Sequence, residues 1–242
     1  PFALLMPKRE ITYVPSATTR MLLGSERSGP GTGVLGIGDP DYGKRTVAAS
    51  RVRGGSLLPL PGTRIELEAV ADERLLGAQA TEMKLRAALG KRPRWRSVHF
   101  ACHGLVDAAH PMRSALAVTA GNGKDGYITA LDIMRMQIPA DVAVLSACET
   151  GRGKVFHSEG VVGLTRAFMF AGTPRVICSL WKVDDEATRA LMIKLYELWN
   201  PKEGTGVPLP AALRAAQAHV RAQSKWKHPY YWAAWQLWGA GG

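Results

Sequence analysis

Cysteine and histidine supply nucleophiles and proton carriers, and both are sparse here: three cysteines and six histidines in 242 residues. Two of them stand just past apolar runs. Val98-His99-Phe100-Ala101-Cys102 leads into His103-Gly104, and Val142-Ala143-Val144-Leu145-Ser146-Ala147 leads into Cys148 and then Glu149-Thr150-Gly151. A thiolate attacks a carbonyl far better than a thiol does, and a nearby imidazole can promote the thiolate and later protonate the leaving amine. Open α/β sheets carry such groups beyond the carboxyl ends of their strands. If the two runs are neighbouring strands, His103 and Cys148 face one another. Taken alone, a buried cysteine is usually a small core residue and a histidine before glycine is usually structural, so the residues by themselves leave catalytic and core readings open.

Other uses of the same side chains are weaker. Cys102, His103 and Cys148 offer three metal-ligand types, but consecutive residues of a strand point to opposite faces and no fourth ligand has a recognised spacing, so no metal is expected. No cofactor is expected either: Gly31-Thr32-Gly33 lacks the spacing and lysine of a phosphate-binding loop, and Gly151-Arg152-Gly153-Lys154 is incomplete. Glu149, with Asp184 and Asp185, could form a negative pocket for a basic substrate side chain. Either aspartate could equally cap the helix that follows it.

The elements that must position these residues alternate. Strands are expected at 11–14, 34–38, 98–102, 115–118, 142–145, 176–180 and 232–238. Helices are expected at 17–24, 66–75, 81–89, 129–133, 160–169, 184–199 and 210–222. Strands this apolar need cover on both faces, which predicts an α/β sandwich of three layers with a central, mainly parallel sheet. Residues 42–59, mixed in basic residues, glycines and prolines, are expected to be a long surface loop open to cleavage.

The length suits one domain. Lys plus Arg outnumber Asp plus Glu by 31 to 20, a formal charge of +11, which permits nucleic acid or an acidic protein surface as a partner without choosing between them. The densest basic run, Lys91-Arg92-Pro93-Arg94-Trp95-Arg96, reads as a solvated connection or, less simply, a docking patch. Trp226, Trp232, Trp235 and Trp238, with basic residues nearby, could stack on single-stranded nucleic acid, a reading the residues by themselves leave open. Three cysteines in apolar segments suit reduced thiols and a cytoplasmic setting. There is no uninterrupted apolar run of membrane-spanning length, and no membrane role is expected.

The strings His99-Phe100-Ala101-Cys102-His103-Gly104 and Leu145-Ser146-Ala147-Cys148-Glu149-Thr150-Gly151 resemble the histidine and cysteine motifs of CHAT domains, a branch of the caspase- and separase-like cysteine peptidases of clan CD. The likeness continues through Gly160-Val161-Val162-Gly163-Leu164, Ser179-Leu180-Trp181-Lys182-Val183-Asp184-Asp185, Leu60-Pro61-Gly62-Thr63 and Pro229-Tyr230-Tyr231-Trp232-Ala233. It implies a caspase-like fold over residues 1–242, forming the C-terminal catalytic part of a longer protein. It also implies an endopeptidase with Cys148 as nucleophile, His103 as acid and base, and the N–H groups of Gly104 and Cys148 as the oxyanion donors. Its implied partners are a protein substrate, with a pore-forming effector of bacterial defence as one class, and a regulatory repeat region or partner; the same likeness implies that Trp226, Trp232, Trp235 and Trp238 close the core, so no specific nucleic-acid function is expected. A catalytically silent interaction scaffold on the same fold is the alternative.

Overall fold

The computed structural model describes residues 9–25, 29–43, 57–107, 109–146, 158–200 and 205–240. In chain order the elements are β1 (Thr12–Tyr13), α1 (Ala17–Ser25), β2 (Val34–Pro40), α2 (Pro61–Val70), β3 (Glu73–Gly77), α3 (Glu82–Leu89), β4 (Trp95–Ala101), β5 (His103–Leu105), β6 (Ala115–Ala117), β7 (Tyr127–Thr129), α4 (Ala130–Met134), β8 (Ala140–Leu145), α5 (Ser158–Phe170), β9 (Arg175–Ser179), α6 (Asp185–Trp199), α7 (Leu209–Ala222) and β10 (Trp235–Gly239).

Seven strands form one sheet in the order β1-β10-β9-β8-β4-β2-β3, and β5, β6 and β7 form a second, antiparallel one. Every neighbouring pair in the large sheet is parallel except β10 with β9. Alternation along each central strand explains the continuous apolar runs. Val98, Phe100, Ala143, Leu145, Val176 and Cys178 face the side covered by α3, α4 and α5, through Leu85, Ile133 and Phe168 among others. Ala101, Val142, Val144 and Ile177 face α2, α6 and α7, through Leu67, Leu191 and Leu213 among others. Both faces are therefore buried, and the expected three-layer α/β sandwich with a largely parallel central sheet is the observed one. No helix among the described residues is long and apolar enough to cross a membrane.

Local chemistry sets the ends of several elements. Thr81 caps α3 by accepting the Lys84 N–H, and Thr129 and Asp132 form a reciprocal capping box on α4. Gly36 of β2 lets α2 approach closely: a Cβ there would lie 2.8 Å from Leu67 and 2.9 Å from Ala71. The helix expected over 66–75 is instead α2 at Pro61–Val70 followed by β3, because Pro61 opens the helix and the chain turns extended at Ala71.

The basic run is also only half a connection, since Trp95 already begins β4 and is fully buried. Its charges are largely engaged. Lys91 pairs with Glu73, Arg92 lies 4.8 Å over the Trp95 ring, and Arg94 and Arg96 reach the same carboxylate, Asp141, at 2.6 and 3.3 Å. Asp141 also accepts the Gly31 N–H at 2.9 Å, tying three chain segments together at the amino end of β8.

Candidate active site

Phe100 of β4 pairs with Leu145 of β8, so these adjacent parallel strands end at one level. His103 follows Phe100 by three positions in the sequence, and Cys148 follows Leu145 by three. Cys148 and Glu149 lie outside the described residues, as do Lys154, Phe156 and His157 of the same loop.

Beyond Ala101 the chain leaves the large sheet. His103–Leu105, expected as the turn after the strand, forms β5 and pairs with β6. At the bend, Cys102 is packed into the core and burial pushes its thiol up to about 12, which makes it an inert thiol.

The His103 side chain is held from two directions. Its Nε2 lies 2.8 Å from the Leu58 carbonyl oxygen. A carbonyl can only accept, so Nε2 carries the hydrogen and Nδ1 is the ring's acceptor in the neutral state. The His103 backbone N–H donates to the Tyr42 hydroxyl at 3.1 Å, and that hydroxyl donates to the Ala117 carbonyl at 3.3 Å. The Tyr42 ring lies 5.2 Å from the imidazole, centre to centre. His103 is 8% exposed, and burial lowers its pKa, opposed by the Leu58 hydrogen bond. Lys182 lowers it further and Asp185 raises it. The net shift is downward from 6.5, which leaves a neutral imidazole at pH 7.

Residues 42–59 were expected to be a surface loop, yet both ends reach this site. Tyr42 and Leu57 are buried in a small cluster with Leu105 and Ala117, and Leu58 supplies the carbonyl that orients His103. Residues 44–56 lie outside the described residues. Tyr42 and Leu58 are the site residues that motif reading missed. An aromatic and an apolar pair bracketing a polar loop were the available signal.

Gly104 is buried beside His103 and, with Leu116, Leu145, Leu164, Cys178 and Ser179, bounds an apolar cavity of about 20 Å3. This cavity lies among β5, β6, α5 and the ends of β8 and β9. Neither Asp184 nor Asp185 lines it. Asp184 caps α6, accepting the Ala187 N–H at 3.0 Å, so its carboxylate is spent on the helix. Asp185 is exposed in the first turn of α6, near the start of α2, and acts on His103 through its charge.

His99, in the same motif as His103, serves a separate buried cluster. Its Nδ1 lies 3.2 Å from the Tyr196 hydroxyl, which shares a hydrogen bond with Ser97 Oγ at 2.8 Å. Its Nε2 approaches Glu66 Oε1 to 2.9 Å without the alignment of a hydrogen bond. Burial raises the Tyr196 pKa, and the neighbouring Glu66 charge adds to that. The cluster ties β4 to α2 and α6, the two helices whose amino ends flank His103. Among the described residues, no group of three His, Cys, Asp or Glu side chains is placed to hold a metal ion.

The chain as a whole is similar to known proteins in sequence and in fold. The human protein "Tetratricopeptide repeat protein 28" is 34% identical over 114 residues, covering 47% of this chain and 4% of that protein; its mouse counterpart is 32% identical over the same length. Those relatives are thus far longer than this chain. The separase of the Saccharomyces cerevisiae separase–securin complex superposes with a TM-score of 0.61 over 97% of this chain and 14% of that one, at 16% identity. The Arg-specific cysteine proteinase gingipain R superposes with a TM-score of 0.52 over 98% of this chain and 50% of that one, at 11% identity. At these identities the likeness is one of fold. The family model described as "CHAT domain" matches residues 3–240. This chain therefore belongs to the CHAT domain family, with the caspase- and separase-like cysteine-peptidase fold.

Proposed function

We propose that this chain is a cysteine endopeptidase in which Cys148 attacks the scissile carbonyl and His103 moves the proton. The carrying observation is the pairing of Phe100 with Leu145, because each residue of the dyad lies three positions beyond one member of that pair.

In this reading the neutral His103 takes the Cys148 proton at Nδ1 while Nε2–H stays on the Leu58 carbonyl, which fixes the ring and stabilises the imidazolium that forms. The thiolate attacks the carbonyl carbon, and the electron pair of the C=O bond moves to oxygen. The N–H groups of Gly104 and Cys148 are the proposed donors to that oxyanion. Collapse breaks the C–N bond, the amine leaves with the Nδ1 proton, and a thioester remains. Water then hydrolyses it, with His103 taking the water's proton and returning one to the sulfur.

The side-chain preference belongs to the same proposal. Asp185 and Glu149 are the carboxylates left to favour a basic residue before the cut, since Asp184 is engaged as a helix cap. The substrate is a protein, a pore-forming effector being one class that fits. Control by a repeat region or a separate partner is supported by the length of the tetratricopeptide-repeat relatives and by the separase–securin complex among the similar structures.

The test is digestion of a diverse peptide library, read by mass spectrometry, with wild type beside Cys148→Ala and His103→Ala. Cuts present in wild type and lost in both variants are expected. Cuts that persist in Cys148→Ala would remove the thiol mechanism, and a folded wild type with no cuts, alone or with the repeat region restored, would favour the interaction scaffold.

A further inference from the structure

A groove among the described residues lies away from His103. It has a volume of about 330 Å3 and runs between α7 and the β1–β10 end of the large sheet. Among the described residues, Arg9, Arg214 and Arg221 line it and no Asp or Glu does. None of the three forms an ion pair among the described residues, in contrast to Arg94 and Arg96, which share Asp141. All three are exposed. Arg221 lies 5.4 Å over the Trp232 ring, which holds its guanidinium against the groove wall.

The remaining lining explains what else the groove can take. Leu213 and the Trp232 ring give an apolar floor between the charges. Gln217 is nearly buried, and its amide nitrogen is used twice, donating to the carbonyls of Trp232 and Trp235 at 3.1 Å each. That leaves its Oε1 as an acceptor in the lining with no donor among the described residues. Arg214 and Arg221 are seven residues apart on one face of α7, a rise of about 10 Å. On an extended chain, residues four apart point to the same face about 13 Å from one another, a span the long Arg214 and Arg221 side chains can close, and the residue midway between them faces the same way.

We propose that this groove is a docking site for an acidic peptide segment of a protein partner. Its carboxylates pair with Arg214 and Arg221, and an apolar side chain between them rests on Leu213 and Trp232. Charge complementarity over that span, with apolar area between the charges, favours a peptide over a small anion, which would use one guanidinium and leave the rest of the groove open. The site stands whether or not the chain cleaves peptides.

The test is fluorescence anisotropy with the full chain carrying Cys148→Ala, so that cleavage plays no part. The probe is a fluorescein-labelled peptide with glutamates four residues apart and a leucine midway between them. Controls are its glutamine counterpart, a single-stranded oligonucleotide and inorganic phosphate as competitor. We expect saturable binding of the acidic peptide, weakened at least tenfold in Arg214→Glu/Arg221→Glu and weakened by added salt. Lys84→Glu/Arg135→Glu, an equal charge change on exposed residues outside the groove, should leave the binding within twofold. The proposal is overturned if the glutamine peptide binds equally well, if both double variants lose binding alike, if phosphate displaces the peptide at low millimolar concentration, or if the oligonucleotide binds more tightly through the same arginines.

Discussion

The Tyr42 hydroxyl accepts the backbone N–H of His103 at 3.1 Å while its ring lies 5.2 Å from the imidazole, so one side chain braces both the backbone and the ring of the candidate base. Tyr42→Phe keeps the ring and removes the hydroxyl, leaving the His103 N–H unsatisfied in a buried setting. The expected cost is about 1–3 kcal/mol of unfolding free energy, read from urea denaturation. If peptide cleavage is present, kcat should fall more than KM rises, because the defect lies in orienting the base. An unchanged denaturation midpoint would mean that the bond contributes nothing.

Replacing His103 should cost about 10²–10⁴-fold in cleavage rate, the span usual for a positioned acid or base. Cys148→Ala should abolish cleavage. An independent check is alkylation by iodoacetamide followed by peptide mapping. Cys148 should react first in wild type and more slowly in His103→Ala. Cys102 should resist until the chain unfolds, because burial holds its thiol near 12. Prompt labelling of Cys102 in the native chain would contradict its place in the core.

The pH dependence has a definite sign. The folded His103 has its pKa lowered from 6.5, so in acid the unfolded chain binds a proton that the folded chain resists. The contribution of His103 to stability is therefore fully present above pH 6.5 and is lost as pH falls through the lower, folded value. A series of Tm values from pH 8 to pH 5 should decline more for wild type than for His103→Gln. The acid limb of kcat/KM should likewise lie below pH 6.5. A limb above 6.5, or identical Tm profiles, would contradict the lowered value.

The buried cluster of Ser97, His99 and Tyr196 predicts a core effect without a change in chemistry at Cys148. Tyr196→Phe strips Ser97 Oγ and His99 Nδ1 of a partner and should cost about 1–3 kcal/mol in a denaturant titration. The pH profile of any cleavage should keep its shape, because His103 is not a member of the cluster. A shifted acid limb in Tyr196→Phe would show that the cluster tunes the candidate base.

Much of this protein follows from local sequence. Strands buried on both faces had to read as the unbroken apolar runs before His103 and Cys148, and Thr81 and Thr129 mark helix starts because their hydroxyls satisfy free N–H groups. Such features depend on side-chain period and on partners a few residues away. What the tertiary structure alone decided is which distant segments meet. That β4 adjoins β8, which sets Phe100 against Leu145, is decided by sheet order. The Leu58 carbonyl reaches His103 across 45 positions, and Asp141 reaches Arg94 across 47. No periodicity encodes those pairings. They arise when buried polar groups must find partners inside a packed core.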